Sequence, residues 1–88
     1  MNYEAVRKQV GLAIRQFRIK KGLSQEALAR NAGLSRTFLT GVETGTRNLT
    51  LQTMSRLADA LDVCVGEFFG SGHENKPVPQ PGHSARRR

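Results

Sequence analysis

The chain has 88 residues, enough for one small domain with a modest core, and 14 basic against 7 acidic residues give a formal charge of +7. That balance favours a polyanionic partner, and nearly half of the excess sits in residues 71–88, where Lys76, Arg86, Arg87 and Arg88 stand against Glu74. A single cysteine, Cys64, excludes an intramolecular disulfide and suits a reducing cytoplasm. No apolar run approaches the roughly 18–20 residues of a membrane span, and the polar N-terminus lacks a signal-peptide core, so the expected location is cytoplasmic with no membrane partner.

Asn2 caps a first helix running to about Lys20, with Val6, Val10, Ala13, Ile14 and Phe17 recurring on one face at helical spacing. Gly22 ends it. Ser24 caps a second helix with Gln25 and Glu26 in its first turn, and Glu26 suits the positive helix end. A third helix runs from about Arg36 to Thr44, where Gly45 stops it. Thr46 to Thr50 form a polar loop, and Thr50 caps a fourth helix in which Leu51, Met54, Leu57, Ala58 and Leu61 repeat. Val63 to Phe69 (VCVGEFF) is too short for a long helix and predicts one apolar turn ending at Gly70. Cys64 reads there as a small buried hydrophobe. No strand pattern and no internal repeat is present.

Residues 71–88 hold all three prolines, with only Val78 and Ala85 as apolar groups. Such a composition cannot bury enough to order itself. The division expected is therefore a folded domain over residues 1–70 and a disordered, basic, Pro-rich tail over residues 71–88.

The strongest signal lies in residues 25–42, QEALARNAGLSRTFLTGV. Leu28, Ala29 and Ala32 face inward, and small side chains at 29 and 32 let a second helix cross closely. Gly33 is free to take positive φ, Ser35 can cap the next helix, and Leu39 and Val42 turn that helix's apolar face inward. Two short helices joined by so short a turn make a helix-turn-helix, which places its second helix in a DNA major groove.

At 100° per residue, Arg36, Thr37, Thr40 and Gly41 share one face of the third helix, opposite Phe38, Leu39 and Val42. Nothing in the packing demands a polar face there, so these four are the candidate base contacts. Arg36 can donate twice to guanine O6 and N7, and Thr37 can bond a base edge or touch a thymine methyl. Phe38 reads as packed at the core edge. Ser24 and Ser35 stand at helix N-termini, whose free N–H groups suit anions. Thr44, Thr46, Arg47 and Asn48 add loop donors able to grip phosphates.

The text from IRQFRIKKGLSQEALARNAGLSRTFLTGVETGTRNLTL through LADALDVCVGEFF resembles the lambda-repressor and Cro type (Xre family) of bacterial helix-turn-helix proteins, over about residues 10–69. The resemblance implies an all-α, five-helix, lambda-repressor-like DNA-binding domain, a phosphate contact at Gln25, and an ion pair between Arg18 and Glu43 that orients the third helix. Within the family, FLTGVETGTRNLTL is similar to the controller proteins of restriction–modification systems, through Arg36, Thr37, an aromatic at 38 and the Arg47-Asn48-Leu49-Thr50 loop. Gly41 departs from the pattern, since similar proteins often carry a longer polar side chain there. Two readings stay open: glycine lets the backbone approach DNA or a partner, or fewer bases are read and DNA shape carries more of the specificity.

One helix-turn-helix covers about half a site, so a homodimer on double-stranded DNA is expected. Leu61, Val63, Val65, Phe68 and Phe69 are the candidate interface, because short apolar ends are hard to bury in so small a chain. The rival reading is an antitoxin-type interaction module, since fold does not fix function, but residues 71–88 lack the apolar anchors it needs. Nothing supports an enzyme. Ser35 has no His and carboxylate around it in sequence, and His73 and His83 with one distant cysteine are not a zinc pattern. No cofactor and no metal are expected.

Overall fold

The computed structural model describes residues 2–70; Met1 and residues 71–88, with the expected tail, lie outside the described residues. Four α-helices follow one another: α1 (Tyr3–Lys20), α2 (Gln25–Ala32), α3 (Arg36–Thr44) and α4 (Leu51–Leu61), then a 3-10 helix over Val65–Phe69. The fold is all-α as expected, but the fifth helix is this single 3-10 turn rather than an α-helix. No described helix is long and apolar enough to cross a membrane.

The helices begin where short polar side chains can satisfy their free N–H groups. Asn2 Oδ1 accepts from Ala5 N at 2.7 Å, and Ser24, Ser35 and Thr50 hydroxyls accept from Ala27, Phe38 and Thr53 N at 3.0 Å each. Each such cap contributes about 1 kcal/mol. The ends are equally regular. Leu23, Leu34, Thr46 and Val63 N donate back to Arg18, Ala29, Gly41 and Ala58 O at 2.8–3.0 Å, the Schellman pattern that needs a left-handed residue just past each helix. Gly22, Gly33 and Gly45 supply it, but α4 uses Asp62 at φ 62°. Aspartate tolerates that region better than most side chains.

The core forms where the four helices and the 3-10 turn converge: Val10 and Ile14, Leu28, Ala29 and Ala32, Leu39 and Val42, Met54, Leu57, Ala58 and Leu61, and Phe68. Phe68 is fully buried, tilted against Phe17 of α1 with ring centroids 6.1 Å apart. Two expected interface residues therefore move inward. Leu61 and Phe68 belong to the monomer's own core, because the last turn of α4 and the 3-10 turn both close onto α1 and its neighbours. Val63 and Val65 are half-buried and Phe69 is exposed. Cys64 is corrected in the other direction. It stands at the N-cap of the 3-10 turn and is exposed, since only Phe68 of that turn reaches the interior.

Gly11 sits buried where α1 crosses α3. A Cβ there would overlap Val42 O and come within 3.1 Å of Glu43 O. The missing side chain lets the α3 backbone lie directly on α1. This contact seats the inner face of α3 and fixes which face it shows to solvent.

Candidate nucleic-acid interface

A second constraint on α3 is electrostatic. Glu43 points inward from its last turn with a side chain only 1% exposed. Arg18 of α1 meets it with a two-pronged contact, Nε to Oε2 at 2.7 Å and Nη2 to Oε1 at 3.1 Å. Arg18 Nη1 also donates to Leu23 O at 2.9 Å. Gln25 Nε2 completes the set, donating to Glu43 Oε1 at 3.0 Å. The expected Arg18–Glu43 pair is thus present, and α2 joins it.

Gln25 is more committed than sequence reasoning suggests. Its Oε1 accepts from Thr40 Oγ1 at 3.1 Å. One Nε2 hydrogen and the backbone N–H groups of Gln25 and Glu26 remain for an anion. Thr40 has spent its hydroxyl proton on this bond, so toward DNA it offers an acceptor and a methyl group.

The four expected base-contact positions fall together on the outer side of α3. Arg36, Thr37 and Thr40 are exposed and Gly41 is half-buried. Among the described residues, no side chain pairs with Arg36 or Thr37. Ser24 and Ser35 use their oxygens as caps, which leaves the hydroxyl protons able to donate. Thr44 and Thr46 are placed less openly than expected. Thr44 Oγ1 donates onto Thr40 O at 3.0 Å and Thr46 Oγ1 onto Gly41 O at 3.3 Å. The Thr46 hydroxyl fastens the loop to α3 and that of Thr44 bonds back within the helix, so both protons are engaged before any phosphate can use them.

Asn48 is held by two residues that the sequence pattern does not single out. Tyr3 Oη and Arg7 Nη1 both donate to Asn48 Oδ1 at 2.9 Å. A guanidinium cannot accept, so the atom facing it is the carbonyl oxygen, and Nδ2 is left with its two protons for another acceptor. Arg7 Nε also donates to Gly45 O at 2.8 Å. Arg7 lies off the apolar face of α1, and its spacing carried no sign of a partner 38 residues away.

Gly41 has a local cause. In a helix interior glycine costs about 1 kcal/mol relative to alanine, yet a Cβ at this position would overlap Arg47 Cγ. The stem of Arg47 occupies the place that a side chain at 41 would take. Arg47 then continues toward Phe38, its guanidinium carbon 6.0 Å from the ring centroid. No cluster of His, Cys, Asp and Glu able to hold a metal occurs among the described residues.

Two capped helices meeting at Gly33, with an outward polar face on the second and donors around it, define a helix-turn-helix protein. A helix-turn-helix family model (HTH_3) matches residues 14–68, and the chain belongs to that family. It is 46% identical over 56 residues to control protein C.SmaI of Serratia marcescens, an alignment covering 64% of this chain and 67% of that protein. It is 41% identical over 56 residues to a hypothetical transcription factor of Neisseria meningitidis, covering 64% of this chain; the chain spans 53% of that relative's length. The crystal structure of the restriction-modification controller protein C.AhdI from Aeromonas hydrophila superposes with a TM-score of 0.72 at 45% identity, covering 74% of this chain and 98% of that one.

Proposed function

We propose that this chain is a sequence-specific, double-stranded-DNA-binding transcriptional regulator of the restriction–modification controller type, acting in the cytoplasm as a two-fold dimer without catalysis or cofactor. The observation that carries the reading is the outer face of α3. Arg36 and Thr37 stand there exposed, on a helix whose inner side is fixed by Gly11 and Glu43. Hydrogen-bond donors of Ser24, Ser35 and Asn48 lie on neighbouring segments. Phosphate contacts by such donors set register, and side chains in the major groove read bases. The likeness to the C.SmaI and C.AhdI proteins supports the narrower controller assignment.

Arg36→Ala is expected to weaken specific binding by about 1–3 kcal/mol and to relax preference at one base position per half-site. Titration against operator and scrambled duplexes measures this. Equal losses on both would show that Arg36 touches phosphate only, and the base-reading role would fall.

The basic segment of residues 71–88 is expected to add affinity without adding specificity. Its three terminal arginines can neutralise up to three phosphates, each contributing about 0.9 to the slope of log K against log salt. Binding curves of a chain ending at Gly70 at several salt concentrations should show flatter slopes on operator and random DNA alike. A loss confined to operator would mean that the segment reads sequence.

A further inference from the structure

The reading face of α3 contains one position without a side chain, Gly41, and the space above it is already filled. A Cβ on Gly41 would overlap Arg47 Cγ and lie 3.3 Å from both Arg47 Cβ and Cδ. The alkyl chain of Arg47 therefore crosses α3 at this point. The Gly41 carbonyl binds the loop there. It accepts from Thr46 N at 2.8 Å, Arg47 N at 3.2 Å and the Thr46 hydroxyl at 3.3 Å. From this anchor the guanidinium reaches the ring of Phe38, about one helical turn nearer the start of α3, on the flank of the helix beside the reading face rather than on that face.

We infer that Gly41 is a specificity-determining position acting through Arg47: having no side chain, it seats the Arg47 guanidinium at the edge of the reading face, where it donates to a base rather than to a phosphate. The inference rests on the DNA-reading role proposed above and assigns within it a base contact made by a loop residue. A phosphate contact asks only for a positive charge on a long arm, and lysine serves. A two-pronged contact to a base edge asks for a planar fork held in one orientation. The notch at Gly41 fixes the stem of Arg47, and Phe38 gives its plane a surface to stack on. Both contacts are formed without DNA, which reduces the side-chain freedom left to lose on binding. Gly41 is thus a positioning residue, and Arg47 is the reader that takes the place of a side chain at 41.

The test uses an operator obtained by selection from a random duplex pool with the wild-type protein. Every single-base-pair substitution in one half-site is then titrated against wild type, Arg47→Lys, Arg47→Ala, Gly41→Ala and the Gly41→Ala/Arg47→Ala double variant, with urea melts on each. Wild type is expected to discriminate about 5- to 150-fold at one base pair that Arg47→Lys no longer distinguishes. Gly41→Ala should lose discrimination at that same base pair and keep it at the position read by Arg36. The double variant should bind no worse than Arg47→Ala alone. If Arg47→Lys keeps the full base preference, or Arg47→Ala weakens all duplexes by one common factor, Arg47 contacts phosphate and the inference is overturned. Retained discrimination in Gly41→Ala overturns the positioning role. Arg47→Lys leaves the backbone untouched and decides the base contact even if Gly41→Ala does not fold. Failure of the wild type to select any sequence would instead remove the DNA-reading proposal itself.

Discussion

Arg18→Ala is expected to destabilise the domain by about 3–5 kcal/mol, the penalty for stripping a buried ion of its partner. Glu43 has almost no contact with water, and its two oxygens are satisfied by Arg18 and Gln25. Removing the guanidinium leaves a carboxylate with one amide donor inside the junction of α1, α2 and α3. Small domains hold only about 5–15 kcal/mol in total, so the variant should be close to unfolding at physiological temperature. Urea denaturation measures the loss directly. The paired replacement Arg18→Met with Glu43→Leu should recover most of it, because two apolar side chains of similar volume need no counter-charge. A loss below about 1 kcal/mol for the single variant would mean that water reaches Glu43 readily, against its burial.

The second large effect separates two adjacent aromatic residues. Phe68→Ala is expected to cost about 3–5 kcal/mol, since the ring is fully enclosed and packs on Phe17. Phe69→Glu should leave the melting of the monomer nearly unchanged, because its ring is 41% exposed. It borders a shallow apolar groove with Tyr3, Leu49 and Met54, and with Leu61 and Phe68 in the core it is the exposed member of the expected dimer interface, beside the half-buried Val63 and Val65. Sedimentation should therefore show Phe69→Glu as a folded monomer. A Phe69→Glu protein that still pairs would place the dimer surface elsewhere, and a Phe68→Ala protein as stable as wild type would contradict the packing.

The four α-helices were legible because their signals are local. Asn2, Ser24, Ser35 and Thr50 precede apolar repeats at the right distance, and the caps they form need no information from elsewhere in the chain. The outer face of α3 followed from periodicity alone. The misplaced residues depend on a neighbour distant in sequence or on a short-range period that the pattern does not fix. Gly11 looks like a weak point in α1 until the α3 carbonyls are laid against it. Of Phe68 and Phe69, which one points inward is set by a 3-10 turn of three residues rather than 3.6. Cys64 lies among valines and yet caps a turn at the surface. The commitments of Gln25 to Glu43 and of Asn48 to Arg7 arise between elements and leave no spacing to detect.

Gly11 has a consequence for how different DNA sites are ranked. With its backbone resting on α1 at Gly11 and Glu43 clamped at its end, α3 is held at two points against rolling or sliding when a site fits poorly. The probe behaves as a rigid template, and the work of accommodation passes to the duplex. Sites with flexible pyrimidine–purine steps between half-sites should then be bound more tightly than stiff sites with identical contacted bases. Graded occupancy across a set of promoters would in that case be encoded in the bendability of their spacers, leaving the protein itself unchanged from one site to the next.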